Sequence, residues 1–105
     1  MDVMELGRSG LSVSRVALGL WQAGASQTWG ADYDETDSIR TIQAAPDYGV
    51  TLIDTAPAYS RGRSEEVVGQ ATAGRRDRYQ LATKVSTNQI TRDQVRASVH
   101  ASLER

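Results

Sequence analysis

Three apolar runs alternate with three stretches of helical periodicity, and that order leaves few architectures open. Arg15-Val16-Ala17-Leu18-Gly19-Leu20 is a continuous apolar run of the kind that forms a strand buried on both faces. Val50 to Asp54 is the second strand, and Tyr79 to Val85 the third. Asp34 is placed to cap the helix between the first two, with Glu35 and Asp37 complementing its positive end. Ile39, Ile42 and Ala45 recur on one face, and Gly49 suits a left-handed stop. Ser64 is the expected cap of the second helix, with Glu65 and Glu66 as helix-start charges. Val67, Val68 and Ala71 form its inner face and Gly74 its stop. Thr91-Arg92-Asp93-Gln94 has the capping-box pattern, and Val95, Val99 and Leu103 mark the inner face of a third helix. The strands begin roughly 30 to 35 residues apart, which predicts parallel strands joined by right-handed helical crossovers. Ahead of them, Met4-Glu5-Leu6 and Leu11-Ser12-Val13 flank Gly7-Arg8-Ser9-Gly10 and read as a small β-hairpin.

The fold class is therefore α/β: a β-hairpin, then about three βα units. No G-x-G-x-x-G follows a strand, so the dinucleotide-binding fingerprint of doubly wound sheets is absent. The same repeat builds the (β/α)8 barrel, which needs eight units and typically ~250 residues. The third helix has a start signal and no stop signal, and a third strand left at the edge would be bare. Residues 1–105 are accordingly expected to be the N-terminal, incomplete part of a larger barrel domain. One position conflicts with this pattern. Pro46 falls where the first helix should still run, and a proline there takes the hydrogen bond from the Ile42 carbonyl.

Composition narrows the function. Twelve basic residues stand against 13 acidic, a net charge of −1, with no basic stripe for a nucleic acid. The absence of cysteine excludes disulfides, thiolate metal sites and cysteine nucleophiles. There is no signal-peptide pattern and no apolar run near the ~20 residues of a membrane span. The expectation is a cytoplasmic protein with no membrane, nucleic-acid or metal partner.

In parallel βα units the C-terminal strand ends share one face, where functional groups gather. Trp21-Gln22, Asp54 and Lys84 fall at those ends, and Tyr59 lies on the loop leaving the second strand. Neighbouring strands lie roughly 4.8 Å apart, so Asp54 and Lys84 can pair at the mouth with Tyr59 folded over them. Tyrosine is a poor acid at neutral pH, and a nearby ammonium favours its phenolate. Such a tyrosine can hand a proton to a carbonyl oxygen as that oxygen gains charge. Singly, each residue has a plainer reading: a strand-end cap, a solvated lysine, a half-buried loop tyrosine. For Trp21 the plainer reading is core packing, and for Trp29 that reading is slightly preferred. Arg61, Arg63, Arg75, Arg76 and Arg78 are spread over two loops and read as solvated surface rather than a phosphate site.

Gly49-Val50-Thr51-Leu52-Ile53-Asp54-Thr55-Ala56-Pro57-Ala58-Tyr59, followed by Ser64-Glu65-Glu66-Val67-Val68-Gly69, resembles the signature stretch of the aldo/keto reductase family. Leu81-Ala82-Thr83-Lys84-Val85 resembles that family's catalytic-lysine strand, Leu6 to Ser14 its hairpin, and Leu18-Gly19-Leu20-Trp21 its first barrel strand. The resemblance implies an NADP(H)-dependent oxidoreductase on a (β/α)8 TIM barrel, reducing a small-molecule aldehyde or ketone. Tyr59 would protonate the carbonyl oxygen, Lys84 would make that tyrosine more acidic, and Asp54 would pair with Lys84. Gly19, Leu20, Trp21 and Asp54 would meet the nicotinamide half of the cofactor. The family's catalytic histidine has no counterpart here, since His100 sits within the third helix, about 100° from its apolar stripe. The family's main phosphate and adenine anchors belong to later strands. The 105 residues alone are thus expected to be nearly inactive. The alternative is a non-catalytic truncated barrel, an interaction or assembly fragment that self-associates through open barrel edges.

Overall fold

In a computed structural model, residues 2–24 and 33–105 are described; Trp29 lies outside them. The chain opens with β1 (Val3–Glu5) and β2 (Ser12–Ser14), paired antiparallel with Met4 opposite Val13. A parallel sheet follows, in the order β3 (Ala17–Gly19), β4 (Leu52–Asp54), β5 (Gln80–Ala82). Its helices are α1 (Glu35–Ala44) between β3 and β4, α2 (Arg63–Thr72) between β4 and β5, and α3 (Arg92–Glu104) after β5. This is an α/β arrangement consistent with part of a TIM-barrel-like fold.

The core lies between the sheet and the first two helices. Leu20, Ile42, Ile53, Val67, Val68, Ala71 and Tyr79 are buried together there. Leu18, Ile39 and Leu81 pack against them from positions that are only half-covered. Ser14 joins the hairpin to the sheet. Its hydroxyl accepts from the Thr51 and Leu52 amides at 3.0 and 3.1 Å and donates to the Val16 carbonyl at 2.7 Å. All three partners sit where the parallel ladder begins, so the hairpin closes the end of the sheet opposite the strand C-termini.

The helix starts follow sequence in two cases of three. The Asp34 carboxylate accepts from the Thr36 amide at 2.7 Å, and Thr91 and Gln94 complete the capping box of α3. Ser64 is not the cap of α2. The helix already runs at Arg63, with left-handed Gly62 (φ 91°) before it, and the Ser64 hydroxyl turns into the core.

Pro46 ends α1 early. The α-helix stops at Ala44, and Ala45–Tyr48 continues as a tighter 3-10 turn with the proline in its first positions, where no amide is required. The Ile42 carbonyl, deprived of its donor at position 46, accepts instead from the hydroxyl of buried Tyr79 at 3.1 Å. Gly49 then takes φ 78° and turns the chain into β4.

Two expectations fail at the third unit. The strand expected over Tyr79 to Val85 is paired only over Gln80–Ala82, opposite Leu52–Asp54, and its last bond to β4's chain is the Thr55 amide to the Ala82 carbonyl. The stripe on α3 does not face inward: Val95, Val99 and Leu103 are 37%, 48% and 78% exposed, and Ser98 is the buried residue of that helix. Among the described residues no strand lies beyond β5 for the stripe to cover. Val99 and Leu103 line an open groove with Val68, Leu81 and Val85 instead.

Candidate active site

The parallel register sets the strand ends level. Gly19 lies opposite Asp54, and Asp54 opposite Ala82. One more rung follows on each side, Leu20 amide to Asp54 carbonyl and Thr55 amide to Ala82 carbonyl, both 2.9 Å. Asp54, Leu20 and Thr55 are therefore held by backbone bonds at the rim.

Lys84, two residues past β5, reaches back across this rim. Its ammonium donates to Asp54 Oδ1 and Oδ2 at 2.8 and 2.9 Å, to the Thr55 carbonyl at 2.9 Å and to the Tyr59 hydroxyl oxygen at 3.1 Å. An ammonium has only donors, so the phenol oxygen must accept here and its own O–H points elsewhere. Lys84 Nζ also lies over the Tyr59 ring, 4.8 Å from its centroid, so the ammonium meets both the phenol oxygen and the ring. Burial, the largest single influence on Lys84, opposes the charged form. The hydrogen bonds with Asp54 and Tyr59 and the charge of both outweigh it and hold the ammonium above its ordinary range. With side chains 47% and 38% exposed, the Lys84–Asp54 pair adds under about 1 kcal/mol of stability. Its consequence is orientation: the lysine has one place to stand.

A buried hydroxyl bridge supports the rim. Ser64 Oγ donates to the Leu20 carbonyl at 2.8 Å, and Thr55 Oγ1 lies 2.8 Å from Ser64 Oγ. Serine has one hydrogen and the carbonyl can only accept, so Thr55 is the donor to Ser64. The bridge joins β3, β4 and α2 where Leu20 leads to Trp21 and where Thr55 offers its carbonyl to Lys84. Trp21, 54% exposed, places its ring 6.3 Å from that of Tyr59 at a 32° tilt. Beside it Gly19 faces open space: a Cβ there would meet nothing within 4 Å.

Several other charged side chains bind neighbours within the fold. Arg63 binds Glu35 and Glu66, whose hydrogen bonds, Glu35's first, hold the guanidinium above its ordinary range. Arg78 pairs with Asp47, and Arg76 donates to the Tyr79 carbonyl. Glu65 is more than a helix-start charge. Its buried carboxylate accepts from Thr83 at 2.6 Å and from Arg105.

The structure thus brings Asp54, Tyr59 and Lys84 into one hydrogen-bonded cluster, with Gly19 and Trp21 beside it. Leu20 contributes backbone alone, because its side chain belongs to the core and its carbonyl is taken by Ser64. His100 lies exposed within α3. The roles of Thr55 and Ser64 were missed from sequence. A hydroxyl residue directly after a strand and another in a helix's first turn were the only signals, and neither names its partner. Among the described residues no cluster of three or more His, Cys, Asp or Glu is placed to hold a metal ion. No helix among them is long and apolar enough to cross a membrane.

The profile of the aldo/keto reductase family matches residues 15–105. Aldo-keto reductase YhdN of Bacillus subtilis (strain 168) is 44% identical over 110 residues, covering 99% of this chain and 33% of the relative. The NADH-specific methylglyoxal reductase of Escherichia coli (strain K12) is 44% identical over 71 residues, 68% of this chain and 22% of that protein. Among solved structures, the aldo-keto reductase from Klebsiella pneumoniae in complex with NADPH superposes with a TM-score of 0.76 at 33% identity, over 89% of this chain and 31% of its own. The chain spans about a third or less of the length of these relatives. With the ordered strand-end cluster and a family match over nearly all its length, the chain belongs to the aldo/keto reductase family.

Proposed function

We propose that these residues form the proton-donating half of an NAD(P)H-dependent reductase site for aldehydes or ketones, at the mouth of a (β/α)8 barrel. The observation that carries the reading is the Lys84 ammonium bonded at once to Asp54, the Thr55 carbonyl and the Tyr59 oxygen. Because Tyr59 accepts from Lys84, its hydroxyl proton is free to meet a carbonyl oxygen at the mouth. As the proton leaves, the phenolate left behind is stabilised by the ammonium already in place. Asp54 and the Thr55 carbonyl keep that ammonium charged and aimed.

The residues fit the nicotinamide end of a cofactor. Gly19 leaves space where any side chain would stand, and the exposed Trp21 ring offers an apolar wall beside it. When bound, a reduced nicotinamide supplies the hydride. NADPH is the favoured form by likeness to the Klebsiella structure, and the NADH-specific relative from Escherichia coli makes NADH the competing one.

The test is a chimera in which these 105 residues replace the matching part of the Bacillus subtilis relative. Carbonyl-dependent NADPH oxidation is expected from the chimera, with methylglyoxal and simple aldehydes as probes, and none above background from the 105 residues alone. A chimera that folds and binds NADPH but reduces no carbonyl contradicts the reading.

A further inference from the structure

We infer that Gly24 and Arg63 clamp the loop that carries Tyr59, and so are positioning residues for its phenol. The importance for turnover rests on the reading of Tyr59 above; the geometry does not. Directly after Tyr59 the backbone turns left-handed three times: Ser60 (φ 48°, ψ 38°), Arg61 (φ 55°, ψ 41°) and Gly62 (φ 91°). Only glycine takes this conformation freely. A loop of residues with side chains stays there only where its surroundings over-determine it.

Beyond the turn's own backbone bonds and the Lys84 contact to Tyr59, two neighbours brace it. On one side is the turn after β3. Gly24 (φ 102°) approaches so closely that a Cβ there would lie 2.8 Å from Ser60 Cβ, 2.8 Å from Arg63 Cβ and 2.9 Å from Arg63 Cγ. This turn is itself fixed, since Ala23 is 1% exposed and its amide donates to the Leu20 carbonyl at 3.1 Å. On the other side, Arg63 is the loop's exit. Its Nε donates to Glu35 Oε2 at 2.9 Å, and its terminal nitrogens reach Glu35 Oε1 and Glu66. Arg63 therefore ties the loop to the first residue of α1 and to the first turn of α2. The two loops touch through Gly24 and through the Trp21–Tyr59 ring pair. Enlarging Gly24 must open the first contact and carry the second with it. Displacement of a donor by about 1 Å costs on the order of 100-fold in rate.

The test reads position rather than turnover, by proton NMR of the labelled chain. The contact between the Trp21 indole and the Tyr59 ring is compared with that between Tyr79 and Ile42 in the core. Gly24→Ala is expected to lose the first and keep the second. Adding Ser60→Gly removes one of the struck Cβ atoms and suits the left-handed backbone, and is expected to restore part of the lost contact. Glu35→Ala, at a half-exposed position, is expected to weaken it in the same direction. A general loss of structure would weaken both contacts together. An unchanged Trp21–Tyr59 contact in both Gly24→Ala and Glu35→Ala overturns the clamp; should Gly24→Ala not fold, an unchanged contact in Glu35→Ala alone does so. Since no arm needs a catalytic cycle, failure of the reductase reading leaves this result interpretable.

Discussion

Tyr79 and Pro46 should be energetically coupled although they lie on different elements. Pro46 has no amide hydrogen to give the Ile42 carbonyl, and the Tyr79 hydroxyl donates to that carbonyl at 3.1 Å. Ile42 is 0% exposed and Tyr79 only 3%, so water does not readily replace the bond. Tyr79→Phe leaves a buried acceptor unpaired and should cost about 1–3 kcal/mol. In a domain near this size that lowers the melting temperature by about 4–8 °C per kcal/mol. In a Pro46→Ala background the amide at position 46 can take over the Ile42 carbonyl, so the same Tyr79→Phe change should cost less than about 1 kcal/mol. Urea unfolding of the four proteins of this cycle measures the coupling, expected at about 0.5–2 kcal/mol. Additivity within about 0.3 kcal/mol would show that the tyrosine does not stand in for the missing amide.

Three further outcomes are expected. Ser64→Ala removes the donor to the Leu20 carbonyl and the acceptor of Thr55; unfolding curves should show a loss of about 1–3 kcal/mol, and a loss below half of the lower figure speaks against a bridge. The folded state holds the Lys84 proton more tightly than its ordinary 10.5, so the lysine's contribution is full below that pH and fades as pH rises past it. Melting temperature between pH 9 and 12 should therefore fall less steeply in Lys84→Met, and parallel curves would contradict this. Among the described residues the outer edges of β3 and β5 have no strand beside them, and with the exposed Val95, Val99 and Leu103 this predicts self-association of the isolated chain. Sedimentation should show species growing with concentration, not a monomer at all loadings.

The hairpin, the three parallel strands and two of three helix starts were legible because each has a local cause: paired glycines, apolar runs, or a side chain that caps its own helix. Asp54 and Lys84 were legible as neighbours because parallel register sets strand ends level. What escaped the sequence depends on contacts between distant residues. Ser64 has the composition of a cap and is spent on Leu20, 44 positions away. Pro46 reads as a defect until the fold sets Tyr79 against the carbonyl it orphans. Val95, Val99 and Leu103 have the spacing of an inner face, but periodicity only says that one side is apolar. It does not say that anything lies opposite.

The most direct measurement of the central claim is carbonyl-dependent NADPH oxidation by the chimera carrying Tyr59→Phe, beside the unmodified chimera and Lys84→Met. Positioned proton donors contribute typically about 100- to 10,000-fold. Tyr59→Phe is expected to lower kcat by at least about 100-fold while NADPH binding stays within a few-fold, and Lys84→Met to show the same pattern. Full turnover in Tyr59→Phe would mean that the proton comes from elsewhere and that the cluster of Asp54, Tyr59 and Lys84 is a structural bracket.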